Sequence, residues 1–134
     1  MKGFTLIELL IVMAVIAALL GAVTPVGINA IRHARATTVA LDLSEIAKAA
    51  MSNFYIDHNS TITINSIKNY FPSTLYKELE KFKIKISDNS STVNLYVWYT
   101  GNDVNASDVQ KVLSSVNATN NNKPMLSLKL GKYW

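Results

Sequence analysis

The sequence predicts an α+β fold in which a long N-terminal α-helix packs on a small antiparallel β-sheet. The segment from Phe4 to Ile28 is almost wholly apolar and holds one charge, Glu8. The following residues, up to Tyr55, contain no Gly and no Pro, so the same helix can continue through them. The C-terminal part alternates apolar and polar residues in short runs, which is typical of strands. With 134 residues, the chain has room for one small core beyond the apolar segment.

The apolar segment is long enough to cross a bilayer. It has 25 residues, whereas about 20 are needed for a spanning helix. A secretory signal peptide has a shorter apolar region with a small-residue cleavage site after it. The sequence at the C-terminal end of this segment, Pro25-Val26-Gly27-Ile28-Asn29, offers no such site. We therefore expect the segment to be retained as a membrane helix.

Glu8 is the unusual residue of this segment, because a carboxylate is costly within the hydrocarbon region. Two explanations are open from the residues alone. Glu8 lies near the start of the apolar run, so it can reach water at the interface. Alternatively, its partner is a cation on another chain.

The first ten residues, MKGFTLIELL, resemble the leader and helix start of bacterial type IV pilins and the related pseudopilins. The resemblance implies that residues 1–3 are a leader peptide and that a prepilin peptidase cleaves between Gly3 and Phe4. It implies that Phe4 is then N-methylated, and that Glu8 pairs with the Phe4 amine of a neighbouring subunit during assembly. The leader would lie in the cytoplasm and the residues after the apolar helix outside, although a count of flanking Lys and Arg weakly favours the reverse.

The resemblance also implies a function, which is that of a structural subunit of a type IV pilus, or fimbrium, and not of an enzyme. Cell adhesion, twitching motility and DNA uptake all stay open, and a pseudopilin of a type II secretion or competence system is the alternative. The implied partners are further copies of the chain, a prepilin peptidase, the inner-membrane pilus assembly machinery and, before assembly, the membrane. Nucleic acid remains an open partner, and no cofactor is expected. The implied location is the inner membrane for the precursor and then the cell-surface pilus.

The apolar helix contains a weak stretch around Pro25, at a position where the family commonly has proline. Proline removes one backbone hydrogen bond and kinks a helix, and each of Gly21 and Gly27 costs about 1 kcal/mol relative to Ala. We expect either melting of residues 17–27, which would let a filament stretch, or a static kink. A second helix proline common in the family is absent, and Glu45 stands at its position.

Beyond the membrane, a stripe of apolar residues predicts an amphipathic helix that lies on the sheet. We accordingly divide the chain into the leader (1–3), the membrane or filament-core helix (4–28), and the amphipathic helix with the globular part (29–134). The stripe consists of Val39, Leu43, Ile46, Ala50 and Phe54.

In the globular part, the pattern predicts three or four strands and two short helices. Residues 57–72 are expected to form an irregular connector and residues 75–82 a short helix, with a strand starting near Lys81 and a turn at 88–91. The clearest strand is 93–99. The capping-box spacing of Ser107 and Gln110 predicts a second short helix that includes Val116. A loop at 120–122 then leads to a last strand that ends at Tyr133-Trp134.

Few residues suggest chemistry. The absence of cysteine excludes disulfides, thiolate metal sites and a cysteine nucleophile. His33 and His58 lack metal-ligand spacing, and we expect Asp57-His58 to be a solvated helix end. Asp103 and Asp108 are the only candidates for a calcium loop and form no close cluster, so no metal is expected. We find no catalytic constellation.

Two surface features remain open. A group of lysines, interrupted by Glu78 and Glu80, is either a basic patch for DNA or an acidic polymer, or a solvated face, which we favour. Sequons occur at four positions, but the bacterial origin that the resemblance implies makes N-glycosylation unfavoured. The lysines are Lys77, Lys81, Lys83 and Lys85, and the sequons begin at Asn59, Asn89, Asn105 and Asn117.

Overall fold

The computed structural model describes residues 2–58, 61–89, 92–119 and 121–132. Its fold is α+β, as predicted, with one long helix and a four-stranded antiparallel sheet. Single 3₁₀ turns at Lys68–Tyr70 and Ser73–Leu75 lie between the second and third α-helices. The elements in chain order are α1 (Leu6–Ile56), α2 (Ile64–Ile67), α3 (Tyr76–Leu79), β1 (Phe82–Asn89), β2 (Thr92–Tyr99), α4 (Ala106–Val112), β3 (Val116–Ala118) and β4 (Pro124–Gly131).

The chain divides into two compact units, Met1–Ala34 and Arg35–Trp134. The first unit contains the N-terminal part of α1, and every described residue from Lys2 to Arg35 is exposed. The second unit, which we name the head, contains the rest of α1, the short helices and the sheet. Helix α1 therefore contributes to both units.

The core of the head forms where the apolar stripe of α1 meets the sheet. All five predicted stripe residues are buried, which confirms the amphipathic helix. The helix also buries further alanines beside the stripe, and these belong to the same core cluster as the inward side chains of β2. The further alanines are Ala36, Ala40, Ala47 and Ala49, and the inward side chains of β2 are Val93, Leu95, Val97 and Tyr99.

The strand order of the sheet is β1-β2-β4-β3, with antiparallel pairing throughout. Along β2, buried residues alternate strictly with partly exposed ones, as expected for a strand with one face on a core. The strand pairs Tyr96 with Lys85 of β1 on one side and with Ser127 of β4 on the other. These residues therefore share the face that points away from the core, which we name the outer face.

The prediction for residues 57–89 was wrong in three places. Residues 64–70 form a helical turn and a 3₁₀ turn where we expected an irregular connector, because Thr63 and Ser66 form a reciprocal capping box. The third helix ends at Leu79 rather than 82, because Phe82 is buried as the first residue of β1. Asp88 and Asn89 extend β1 because they pair with β2, while the rest of the predicted turn lies outside the described residues.

The region after β2 also departs from the prediction. Ser107 is not a helix cap, because α4 begins at Ala106 and follows Asn105, whose side chain makes no capping hydrogen bond. Val116 lies in the unpredicted strand β3, where it pairs with Leu126. Strand β4 ends at Gly131, and the predicted end at 133–134, like residue 120 of the predicted loop, lies outside the described residues.

Candidate assembly site

The start of α1 is built around a reciprocal contact between Thr5 and Glu8. The Thr5 backbone N–H donates to Glu8 Oε2 at 2.7 Å, and the Thr5 hydroxyl donates to the same oxygen at 2.8 Å. In return, the Glu8 N–H lies 3.3 Å from Thr5 Oγ1. This is the geometry of a capping box, which satisfies N–H groups that the helix leaves unpaired. The negative side chain in the first turn also complements the helix dipole.

The role of Thr5 as a helix cap was not predicted from the sequence, although the spacing that indicates it is present. The pattern Thr5-x-x-Glu8 before an apolar run is the spacing of a capping box. The contact gives the Glu8 carboxylate a partner within its own chain. It engages Oε2, whereas Oε1 has no hydrogen bond among the described residues.

The N-terminal unit exposes a continuous apolar surface. Phe4 is 93% exposed and precedes the helix together with Gly3. Helix α1 is long and apolar enough to cross a membrane, as judged by length and composition, and its most apolar window has a mean hydropathy of 2.8. Such a surface is stable only when lipid or protein covers it.

The weak stretch around Pro25 is helical in the structure. Helix α1 runs through Pro25, and the Thr24 hydroxyl donates to the Leu20 carbonyl at 2.6 Å. A Cβ added at Gly21 or Gly27 would meet nothing within 4 Å, so local packing requires neither glycine. Kinking or melting of this stretch stays a prediction.

A family model described as the prokaryotic N-terminal methylation motif matches residues 1–24. These residues carry the signature of type IV pilins and pseudopilins. The prepilin motif points to a structural subunit, and together with the apolar helix it fits a membrane-anchored precursor. A search of curated proteins and a search of solved structures each found no match.

In the head, the residues considered for metal binding have other roles. Asp103 accepts a hydrogen bond from the Tyr99 hydroxyl at 2.7 Å and pairs with Arg35 at 3.2 Å, whereas Asp108 pairs with Lys111. The bond from Tyr99 holds the pKa of Asp103 below its ordinary value, and Arg35 adds to this effect. Within the described ranges, no three His, Asp or Glu residues are placed to hold a metal ion.

Asp57 and His58 are exposed at the end of α1, as expected for a solvated helix end, and Asp57 has a further role. Its Oδ2 accepts hydrogen bonds from Asn53 Nδ2 at 2.7 Å and from the Tyr70 hydroxyl at 3.3 Å. Asp57 thereby ties the end of α1 to the segment that follows it. His58 has a positive φ of 48°, which reverses the chain after the helix.

The predicted lysine group does not form one cluster. Lys81 pairs with Glu78 at 2.7 Å, whereas Lys83 and Lys85 lie on the outer face of the sheet. Lys77 lies on α3. Of the sequon residues, Asn89, Asn105 and Asn117 are exposed, and Asn59 lies outside the described residues.

Proposed function

We propose that this chain is a structural subunit of a type IV pilus and has no catalytic role. The observation that carries the proposal is the exposed apolar surface of α1. Near the start of this surface lies the carboxylate of Glu8, of which one oxygen is hydrogen-bonded to Thr5 and the other is open in the part of the chain that the structure describes. Lipid covers this surface in the precursor. In the filament, the same surface packs against the helices of other subunits, and the head is displayed at the cell surface.

Processing begins at the leader, residues 1–3. Gly3 and Phe4 precede the helix and are exposed, so a prepilin peptidase has access to the bond between them. Cleavage gives Phe4 a free amine, which is then methylated. The Thr5–Glu8 capping box does not involve Gly3 or Phe4, so it survives cleavage.

The new Phe4 amine is the cation that Glu8 needs during assembly. Thr5 holds Oε2 of Glu8 and fixes the direction of the carboxylate, which leaves Oε1 open toward a neighbouring subunit. A charged hydrogen bond formed there gains strength because the surroundings are apolar. Each incoming subunit is thus aligned by its amine against the Glu8 of a neighbour.

The stretch from Gly21 to Gly27 gives the filament core its most easily extended part. Pro25 lacks an N–H, and the two glycines weaken the helix further. Under tension, residues 17–27 melt before the flanking turns do. Replacement of Pro25 by Ala should therefore raise the force needed to extend single filaments in an optical trap, and an unchanged force would contradict the melting role.

The pilus and pseudopilin functions differ in where the assembled subunit is found. Filaments are sheared from cells, and their subunit is identified by mass spectrometry. A mature chain that starts at Phe4 and carries one methyl group supports the pilus function, whereas a processed chain found only in the cell envelope favours a pseudopilin. A mature chain that starts after residue 28 would refute both.

Two variants of Glu8 separate the charge from the helix cap. Glu8→Gln keeps an acceptor for Thr5 but loses the charge, whereas Glu8→Val loses both. If pairing with the Phe4 amine aligns subunits, both variants should lose sheared filaments while the total amount of subunit in the membrane stays unchanged. Normal filament yield from Glu8→Gln would show that only the cap matters.

A further inference from the structure

The outer face of the sheet concentrates positive charge. Pairing of the strands brings together lysines from β1, from β4 and from the segment just before β4. No outward strand position on this face is Asp or Glu. The four lysines are Lys83, Lys85, Lys123 and Lys129.

These lysines have no acidic partner among the described residues. The ion pairs among the described residues use Arg35, Lys81, Lys111 and Lys132. None of the outer-face lysines takes part in one. Lys123 donates to the Gly101 carbonyl and to the side chain of Asn102, both of which are neutral. The charge of the outer face is therefore uncompensated and attracts anions.

Two aromatic rings lie between these lysines. Tyr96 and Trp98 occupy successive outward positions of β2, so they lie about 6.8 Å apart along the strand. Both rings are partly exposed. They line an open groove of about 840 Å³ together with Lys85, Lys123 and Met125. The head therefore displays stacking surfaces and positive charge in one place.

We propose that the outer face binds single-stranded nucleic acid, with bases stacked on Trp98 and Tyr96 and phosphates held by the lysines. Four-stranded sheets that carry aromatic side chains can stack two or three bases in this way, and lysines beside them track the backbone. An anionic ligand is favoured over a neutral sugar chain because the outward strand positions carry lysines and no carboxylate. The proposal goes beyond filament assembly and depends only on the head.

The test uses the full chain in micelles of an uncharged detergent. Replacement of Trp134 by Phe leaves Trp98 as the remaining tryptophan of the chain. An oligo-dT strand about ten nucleotides long, within the usual site size of such surfaces, should quench the fluorescence of Trp98. If four lysines contact phosphates, the logarithm of the binding constant should fall with the logarithm of salt concentration with a slope of about −2.8.

Three variants in this background separate stacking from charge. Binding of every variant is measured by the fluorescence anisotropy of a dye-labelled oligo-dT strand, because Trp98→Leu removes the tryptophan whose quenching is followed in the parent chain. Trp98→Leu should weaken binding roughly 5- to 150-fold, the range for loss of one stacked base. Lys85→Gln should reduce the salt slope by about 0.7. Lys77→Gln removes the same charge from α3, away from the outer face, and should change neither value. Cooperative thermal unfolding of each variant confirms that it is folded. If Trp98→Leu does not fold, the salt slopes of the two exposed lysine variants still test the proposal.

Three results would overturn the proposal. The first is the absence of oligo-dT binding at low salt. The second is equal affinity for an abasic strand of the same length, because that would show that the rings take no part. The third is tighter binding of heparin than of oligo-dT, which would identify the outer face as a surface for acidic polysaccharides. Selective quenching by oligo-dT together with the expected salt slope would support it.

Discussion

The substitution Gly101→Ala, which adds one methyl group in the loop after β2, should destabilise the head. A Cβ at Gly101 would lie 2.3 Å from atoms of the Tyr99 side chain. Carbon atoms in ordinary contact are about 3.5–4.0 Å apart, so the overlap exceeds about 1 Å. No described glycine has a positive φ, so the backbone at Gly101 is otherwise open to alanine. The ring of Tyr99 is therefore the reason for glycine at this position.

Tyr99 cannot move aside at low cost. Its side chain is buried and packs on Phe82 with ring centroids 5.1 Å apart. Its hydroxyl is fixed by Asp103, which also holds Arg35 of α1. Overpacking of this kind typically costs 1–3 kcal/mol, and loss of the hydroxyl bond adds about 1 kcal/mol. Gly101→Ala should thus destabilise the head by about 2–4 kcal/mol, which lowers its Tm by roughly 8–20 °C.

The assay is thermal unfolding of the full chain in uncharged detergent, followed by near-ultraviolet circular dichroism, which reports packing of the head. The control repeats Gly101→Ala in a Tyr99→Leu background, which has no ring at this point. There the substitution should be neutral or should stabilise the head by up to about 1 kcal/mol, because Ala restricts the unfolded chain. An equal loss in both backgrounds would refute the role assigned to the ring.

Three further perturbations test the head. Burial and the bond to Asp103 raise the pKa of Tyr99 above its ordinary value of 10. The unfolded chain therefore ionises at lower pH than the folded chain, and stability falls as the pH rises above about 10. When melting is measured over this pH range, the Tm of Tyr99→Phe should fall less than that of the native chain. Burial, and then the charge of Glu45, raise the pKa of Asp42, so the ionised form of Asp42 opposes folding. Asp42→Asn should therefore raise the Tm at neutral pH but not below about pH 3. An equal gain in Tm at both pH values would exclude a charge effect. Phe54→Ala should cost about 3–5 kcal/mol in thermal unfolding, because Phe54 is fully buried, whereas exposed Tyr55→Ala should cost much less.

The sequence was sufficient for the parts of the fold that depend on local periodicity. The stripe from Val39 to Phe54 and the alternation from Val93 to Tyr99 each repeat over several turns or pairs, so their assignment does not depend on distant residues. Strand β3 could not be predicted in this way. It has three residues and exists because Val116 pairs with Leu126, a contact that local sequence does not reveal.

The candidate sites likewise divide into one that local sequence reveals and one that depends on strand pairing. The MKGFTLIELL segment and the Thr5-x-x-Glu8 spacing are local, so the candidate assembly site can be located from sequence alone. The lysines of the outer face come from β1 and from β4 with the segment before it, which are far apart in sequence, and pairing of β2 with both strands brings Lys129 to the same face as Lys85. Neighbours in sequence suggested a different group, in which Lys81 is in fact neutralised by Glu78.

The alanines buried along α1 have a consequence for how this protein can diversify. Each one contributes little more than a methyl group to the core, so a larger residue at Ala40 or Ala47 would have no vacant volume to occupy. Outward residues of the sheet, such as Asn94 and Ser127, face no such restriction. Over evolutionary time, substitutions should therefore accumulate on the side turned away from α1, where new ligands can be gained while the packing that supports the head stays unchanged.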